Sequence, residues 1–181
     1  MRHPPVGVAE GTCYGRSDVP LATGYLDKVR TKQSLMPSTD NMRLLCSPAS
    51  RCRLAADILF PGRYSCDDRL TELDFGTWEM RPWSHLPRDQ VKRWSEDLHG
   101  AVPHGGESGR QMLDRCALVL NELVEGGESA FLVSHSGFIH GILALVLDTD
   151  LAHAYRLDVD YCGLTLISVH RNLKKIRFIN R

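Results

Sequence analysis

The sequence predicts an α/β fold, a three-layer sandwich in which helices cover both faces of a mostly parallel central sheet. Two observations carry this prediction. Short apolar runs at 42–46 and 129–134 have the length of buried strands, and each passes through small polar residues into a helical pattern. Crossover connections of this kind are right-handed, so both strand ends should face the same edge of the sheet.

The other elements follow from periodicity and from turn residues. Residues 4–21 are rich in Pro, Gly and Asp, which predicts a long ordered loop. Ser47 before Pro48 is typical of a helix N-terminus, with Ser47 as the N-cap. Helices are predicted over 21–36, 47–59, 87–98, 109–124 and 138–147, and a C-terminal edge hairpin over 164–169 and 175–179 around Arg171, Asn172 and Leu173.

Composition favours one globular domain over residues 1–181, because 43% hydrophobic residues suffice for a core. The 22 basic residues balance the 22 acidic ones, which gives no reason to expect nucleic acid or membrane surfaces as partners. No signal peptide is recognisable, and the six cysteines form no CxxC pair, which favours a reducing, cytoplasmic compartment. The expected partner is a small molecule, and a homodimer is left open.

Basic and imidazole side chains fall where such sheets bind ligands. Arg51 lies in the first turn of the helix after the first buried strand, where unpaired N–H groups already favour anions. His135 directly follows the strand 129–134, and Arg2 and His3 join them if the chain enters the sheet there. A neutral imidazole is a usable nucleophile near neutral pH, and a guanidinium matches phosphate oxygens in bidentate fashion.

The acidic segment 68–79 offers a proton donor. Carboxyl groups held among apolar rings have a raised pKa, which is what a general acid needs. Glu72 is the candidate, and Glu79 is left as an alternative. In the glycine-rich first loop, Arg16 is a candidate ligand contact because glycine lets a ligand approach the backbone. His104, in a later turn cluster, is expected to be solvated.

Five short motifs, spread in order over nearly the whole chain, form a specific pattern together. They are Arg2-His3, Ser47-Pro48-Ala49-Ser50-Arg51, Leu70-Thr71-Glu72 with Phe75-Gly76-Thr77-Trp78-Glu79, Gly105-Gly106-Glu107-Ser108 and Ser134-His135-Ser136-Gly137. In this pattern the chain resembles the histidine phosphatase superfamily, also called the phosphoglycerate mutase-like family. The resemblance implies the phosphoglycerate mutase-like version of the sandwich predicted above.

The resemblance also implies an activity, that of a phosphatase which works through a phosphohistidine intermediate without a metal or other cofactor. It makes His3 the nucleophile and Glu72 the donor of a proton to the leaving oxygen. The phosphate pocket would then consist of Arg2, Arg51 and His135. Phosphoryl transfer needs fixed positive donors on the equatorial oxygens, which these three side chains can supply.

The loop Cys13-Tyr14-Gly15-Arg16-Ser17-Asp18, followed by Pro20-Leu21, looks like the branch that includes α-ribazole phosphatase. That likeness implies α-ribazole 5'-phosphate as substrate, in the assembly of the cobalamin lower loop, and Arg16 as a further substrate contact. Two alternatives stay open, a phosphatase of other specificity and an inactive protein that only binds a phosphate ligand. A metal site of His3, His135 and Glu72 is disfavoured, since local ligand spacing is absent and the arginines would repel a cation.

The start of the chain departs from the family pattern. Members of the family have an apolar strand that runs into the Arg-His pair, whereas only Met1 precedes Arg2 here. We therefore expect the first central strand to be missing or truncated relative to the natural reading frame. A missing strand would leave buried N–H and C=O groups of its neighbours unpaired, at about 1–3 kcal/mol each.

Overall fold

The chain alternates short strands with helices, and the computed structural model describes residues 1–170 and 173–181. The elements are β1 (Thr12–Cys13), α1 (Tyr25–Gln33), β2 (Arg43–Cys46), α2 (Ser50–Leu59), β3 (Ser65–Cys66), β4 (Arg81–Pro82), α3 (Arg88–Glu96), α4 (Gly109–Gly126), β5 (Ala130–Val133), α5 (Ser136–Leu147), α6 (Leu151–Ala154), β6 (Leu166–His170) and β7 (Leu173–Phe178). The predicted turn residues Arg171 and Asn172 lie outside the described residues. Within the described ranges, every helix is too short or too polar to cross a bilayer.

The central sheet is parallel, with β2 between β3 and β5. Residues 1–3 extend it beyond β5, because the Ser134 N–H donates to the Met1 carbonyl and the His3 N–H to the Ser134 carbonyl, at 2.9 Å each. On their other side, the Arg2 N–H donates to the Gly163 carbonyl at 3.2 Å. The central strand that the sequence predicted to be missing or truncated is thus present in a short form.

Helices cover both faces of this sheet, because the side chains of β2 alternate between two cores. Leu44 and Cys46 pack in one apolar cluster with residues of α1 and α2. Leu45, between them, packs on the opposite face in a cluster built from α4 and α5. β6 and β7 form an antiparallel hairpin. The predicted three-layer sandwich with a C-terminal hairpin is therefore confirmed.

The start of α2 differs from the prediction. The helix begins at Ser50 with Ala49 as its N-cap, so the assignment of Ser47 as the N-cap is wrong. The carboxylate of Asp18, from the first loop, instead accepts hydrogen bonds from the Ser50 N–H at 2.9 Å and from its hydroxyl at 2.7 Å. A carboxylate at this place satisfies an end-turn N–H group and complements the helix dipole. Ser47 is left available to contact His135.

Candidate active site

Two histidines lie side by side at the edge of the sheet where the parallel strands end. His3 ends the short first strand, and His135 follows β5 after one residue, Ser134, which bridges to Arg2. Their ring centroids are 5.2 Å apart and their planes meet at 61°. Both side chains are fully buried, at 0% exposure. The structure therefore brings together the two imidazoles that the sequence placed at one edge.

The ring of His3 is held in one orientation by a backbone contact. Its Nδ1 lies 2.7 Å from the Pro4 carbonyl, which only accepts, so Nδ1 carries the proton and Nε2 carries the lone pair. Nε2 is buried and has no hydrogen-bond partner among the described residues. Burial lowers the pKa of His3 well below its ordinary value of 6.5, and the nearby Arg51 charge lowers it further. His3 is thus a neutral imidazole at neutral pH with its lone pair available.

The orientation of the His135 ring is set by Ser47, which was predicted to be the N-cap of α2. Its Nε2 is 2.7 Å from the Ser47 hydroxyl, and the Cys52 sulfur lies 3.5 Å from the same nitrogen. Nδ1 is buried without a partner in the part of the chain that the structure describes. Burial lowers the pKa of His135, and electrostatic interactions with the titrating His3 and with the Arg51 charge lower it further. One nitrogen of this ring therefore stays available to a ligand.

Arg51 is a fully buried guanidinium in the first turn of α2. Its Nη1 donates to the Ser17 carbonyl at 2.8 Å, and its Nη2 donates to the Gly15 carbonyl at 2.7 Å. Its Nε is buried with no partner within the described ranges. The first loop thus fixes this charge at a helix N-terminus, where the macrodipole adds to the attraction for an anion.

The loop is held in turn by Glu79. Its carboxylate accepts hydrogen bonds from the N–H groups of Arg16 at 2.8 Å and Ser17 at 2.7 Å, and from the Ser17 hydroxyl. The Phe75 N–H donates to the same carboxylate at 3.0 Å. Among the described residues, Glu72 lines the cavity and Glu79 does not. Of the two carboxyl groups considered from the sequence, Glu72 is the one placed to reach a ligand.

A cavity of about 310 Å³ opens at this edge of the molecule. Its volume is that of a site for a small molecule. His3 is not among the described lining residues, but its ring centroid lies 5.2 Å from that of His135, which is one of them. The wall is formed by Arg16, Asp18, Pro48, Ala49, Arg51, Thr71, Glu72 and His135.

Glu72 is fixed at the rim of the cavity by two backbone N–H groups. Oε1 accepts from the Leu73 N–H at 3.0 Å, and Oε2 accepts from the Gly137 N–H at 3.2 Å in the first turn of α5. A Cβ atom on Gly137 would overlap Oε1 of Glu72. Gly137 therefore permits the close approach of the carboxylate to α5.

Arg16 lines the cavity, but its charge is already matched by acidic neighbours. Nη2 lies 3.1 Å from the Glu107 carboxylate, Nη1 lies 3.8 Å from Asp74, and Nε donates to the Glu72 carbonyl at 3.1 Å. Its side chain is 40% exposed, so it stands at the cavity mouth. The structure therefore places Arg16 in the wall of the same cavity as His135, with its charge paired to carboxylates.

The sequence analysis missed Arg115, which supports the segment that carries Glu72. Its Nε and Nη2 bind the Glu107 carboxylate at 2.7 and 3.0 Å. The signal that could have found it is its place on the buried stripe of α4, between Met112 and Val119 at helical spacing. Its Nη atoms also donate to three carbonyl oxygens, those of Arg69, Thr71 and Glu72.

Arg2 is not among the described residues that line the cavity. Its Nη1 donates to the Val159 carbonyl at 2.6 Å, and its Cζ lies 3.7 Å from the centroid of the Tyr161 ring. Its Nε is buried and lacks a partner among the residues described. The structure thus places Arg2 close to His3, and Arg51 and His135 around the same point.

His104 differs from the expectation of a solvated side chain, because it is only 1% exposed. Its Nδ1 accepts a hydrogen bond from the Gly106 N–H at 3.0 Å, and its ring meets the edge of Trp78 at 5.0 Å between centroids. Burial lowers the pKa of His104. The surrounding aromatic rings, which come from distant segments, could not be foreseen from the turn-like local sequence.

We expect the free energy of unfolding to fall as the pH drops below about 6.5. His3, His104 and His135 have a lower pKa in the folded than in the unfolded chain, so the unfolded state binds more protons in this range. Each histidine contributes up to about 1.4 kcal/mol per pH unit. The amino group of Met1, whose pKa burial lowers to about 5, acts in the same direction from pH 8 downward. Urea unfolding at pH 7.5, 6.5 and 5.5 measures the slope.

The control for this prediction is His104→Asn. The amide oxygen of asparagine can still accept the Gly106 N–H, but it does not titrate. The variant should lose about one histidine's share of the slope below pH 6.5. A slope equal to that of the wild type would contradict the prediction.

The comparisons with known proteins identify the family of this chain and proteins of similar fold. The family model described as histidine phosphatase superfamily (branch 1) matches residues 1–181. The adenosylcobalamin/alpha-ribazole phosphatase of Salmonella typhimurium is 25% identical over 178 residues, covering 94% of this chain and 88% of the relative. The solved alpha-ribazole phosphatase of Shigella flexneri has a TM-score of 0.88 at 22% identity, covering 100% of this chain and 94% of that one.

A second solved structure shares the fold at still lower identity. A phosphoserine phosphatase mutant from Entamoeba histolytica, in complex with phosphoserine, has a TM-score of 0.87 at 18% identity. The likeness covers 99% of this chain and 93% of that one. Proteins with different named substrates therefore share this architecture, and the substrate must be argued from the site itself.

Proposed function

This chain belongs to the histidine phosphatase superfamily (branch 1), and we propose that it hydrolyses α-ribazole 5'-phosphate, or a closely similar small phosphomonoester, through a phosphohistidine. It is a phosphatase, as its family and its relatives indicate. The observation that carries the proposed mechanism is the lone pair on Nε2 of His3, buried and unpaired among the described residues beside Arg51 and His135.

In the proposed reaction, Nε2 of His3 attacks phosphorus and the bond between phosphorus and the leaving oxygen breaks. The electron pair departs with that oxygen, which takes a proton from the Glu72 carboxyl group. Water then attacks the phosphohistidine and gives a proton to the Glu72 carboxylate. The bond between nitrogen and phosphorus breaks, and inorganic phosphate leaves with His3 restored.

The phosphoryl oxygens would bind where the structure leaves donors unused. Nε of Arg51 and Nδ1 of His135 are buried and without partners in the described part of the chain. An unsatisfied buried polar group costs about 1–3 kcal/mol, and an anion that binds there recovers this cost. Arg2 would supply further positive charge to the developing transition state, as phosphoryl transfer requires.

The charges around the cavity favour a substrate with an uncharged leaving group. The positive charge of Arg51 can bind the phosphoryl group, whereas the charge of Arg16 already pairs with the carboxylates of Glu107 and Asp74. Asp18 and Glu72 add carboxylates to the wall. A second anionic group on the substrate would therefore lie near the carboxylates of Asp18 and Glu72, and near an Arg16 that already contacts Glu107 and Asp74. The nucleoside-like leaving group of α-ribazole 5'-phosphate fits this balance.

A panel of phosphomonoesters tests the proposal. α-Ribazole 5'-phosphate, phosphoserine, 3-phosphoglycerate and p-nitrophenyl phosphate are compared by phosphate release, with and without EDTA. We expect the highest kcat/KM for α-ribazole 5'-phosphate, by at least about tenfold over the two esters that carry a carboxylate. We expect EDTA to leave the rates unchanged. Among the described residues, no three or more His, Cys, Asp or Glu side chains are grouped to hold a metal ion.

Each other outcome supports a different reading. Release of phosphate chiefly from a carboxylate-bearing ester would indicate a phosphatase of other specificity. Binding of the esters without release of phosphate would indicate a protein that only binds phosphate ligands. Loss of activity in EDTA would contradict the metal-independent mechanism.

A further inference from the structure

We propose that Tyr161 is a positioning residue for Arg2, holding its guanidinium through the face of the aromatic ring and leaving its N–H donors to the phosphoryl group. This inference rests on the proposed function, in which Arg2 binds that group. The observation behind it is the distance of 3.7 Å between Cζ of Arg2 and the centroid of the Tyr161 ring. A cation so close to an aromatic face is attracted by the ring quadrupole.

Tyr161 and Arg2 are brought together by the backbone. Tyr161 is followed by Cys162, whose N–H donates to the His3 carbonyl at 3.3 Å. The next residue, Gly163, accepts the Arg2 N–H at 3.2 Å. The short first strand therefore pairs with the segment that carries the Tyr161 ring. This pairing places the ring and the Arg2 guanidinium on neighbouring segments of the backbone.

The turn that carries Tyr161 is itself held in place. The Gly163 N–H donates to the Asp160 carbonyl at 2.9 Å, and the Asp160 N–H donates to the Asn180 side chain at 2.6 Å. The Tyr161 hydroxyl shares a hydrogen bond of 3.1 Å with the hydroxyl of Tyr14. The ring is thus held at its base and at its tip, as a support for another side chain must be.

The two arginines of the proposed pocket are supported in different ways. Arg51 commits Nη1 and Nη2 to backbone carbonyls. Among the described residues, Arg2 donates to a backbone carbonyl through Nη1 alone, to that of Val159, and its second support is the Tyr161 ring. A carbonyl consumes an N–H donor, whereas a ring face contacts the π-system of the guanidinium and consumes none. Tyr161 therefore fixes Arg2 and still leaves donors for phosphoryl oxygens.

Two other roles for Tyr161 are open to test. Its hydroxyl bonds Tyr14, and its ring also lies 5.5 Å from the His3 ring. Tyr161→Phe removes the hydroxyl and keeps the ring. Tyr161→Leu keeps an apolar side chain and removes the ring face. A role through Arg2 predicts that only the second substitution reduces catalysis, and that its effect disappears when Arg2 is absent.

The experiment is a double-mutant cycle on kcat/KM, with α-ribazole 5'-phosphate and p-nitrophenyl phosphate as substrates. We expect Tyr161→Phe to stay within about twofold of the wild type and Tyr161→Leu to lose about 3- to 30-fold. The pair Arg2→Ala/Tyr161→Leu should be no worse than Arg2→Ala alone, within about twofold. Tyr64→Leu is the matched control, because Tyr64 is a half-buried tyrosine that bonds Asp57 on α2. It should lower the Tm and leave kcat/KM unchanged.

The remaining outcomes overturn the inference. If the losses from Arg2→Ala and Tyr161→Leu multiply, Tyr161 acts independently of Arg2. If Tyr161→Phe is as damaging as Tyr161→Leu, the hydroxyl rather than the ring face is what matters. Either result with an active wild type leaves the proposed function intact. A wild type that releases no phosphate from any ester overturns the proposed function, and this inference falls with it.

Discussion

His3→Ala is expected to abolish phosphate incorporation into the protein and to lower kcat/KM by about 10³-fold or more. The reason is that Nε2 of His3 is the nitrogen that the structure leaves with a lone pair and no partner among the described residues. His135, 5.2 Å away between ring centroids, has its Nε2 engaged by Ser47, and the proposed reaction uses its Nδ1 to bind the phosphoryl group rather than to attack it. The measurement is rapid quenching with radiolabelled phosphoester in alkali, because phosphohistidine is lost in acid.

Removal of a fully buried side chain can also weaken the fold, so a second variant is needed. In His3→Asn the side-chain amide can still donate to the Pro4 carbonyl, but it offers no nucleophilic nitrogen. This variant should remain folded and still bind inorganic phosphate, yet take up no label. His85→Ala, at an exposed histidine, should behave as the wild type. A label that persists in His3→Asn would place the nucleophile elsewhere.

The edge of the sheet at which the site lies could be predicted from the sequence. An apolar run that ends in polar residues and a helix marks the end of a parallel strand, and this holds for the segments before Arg51 and His135. The handedness of the connections then brings both ends to one edge. Because these arguments depend on local patterns and on a general rule of topology, they need no knowledge of side-chain contacts.

The contacts that fix the site could not be predicted in the same way. Asp18 accepts the Ser50 N–H at the start of α2 from 32 residues away. The local sequence, which favoured Ser47 as the N-cap, could not show this contact. Glu79 holds the first loop from 62 residues away, and Arg115 holds the Glu72 segment from 43 residues away. Each partner is a charged side chain that lies far along the chain from the segment it holds. Only the tertiary fold brings these side chains to their partners.

The structure at the start of the chain could be predicted only in part. The sequence predicted a missing or truncated central strand because only Met1 precedes Arg2. In the structure, Met1 and His3 pair with Ser134 while Arg2 pairs with Gly163. These pairings hold the Arg2-His3 unit at the end of the neighbouring strand. The position of the unit therefore depends on hydrogen bonds to both sides.

Glu72→Gln is expected to lower kcat by about 10²- to 10⁴-fold for an alkyl phosphate, because the departing alkoxide then lacks a proton donor. With p-nitrophenyl phosphate the first turnover should be nearly unaffected, since nitrophenolate leaves without a proton. Later turnovers should be slow, because the carboxylate that activates water is also missing. The measurement is a stopped-flow burst of nitrophenolate together with the accumulated phosphohistidine. Equal losses for both esters in the first turnover would contradict the role of Glu72 as acid.

Gly137→Ala tests the same role without altering the carboxyl group itself. The new Cβ would overlap Oε1 of Glu72, which is the far end of a flexible side chain and can move away. Alanine within a helix is favoured over glycine by about 0.5–1 kcal/mol, so the fold should stay stable while the carboxylate is displaced. The activity should then show the same dependence on the leaving group as Glu72→Gln. Gly126→Ala on α4, where an added Cβ meets no described atom within 4 Å, should leave the activity unchanged. If Gly137→Ala leaves hydrolysis of alkyl phosphates intact, the place of Glu72 beside α5 does not matter to the reaction.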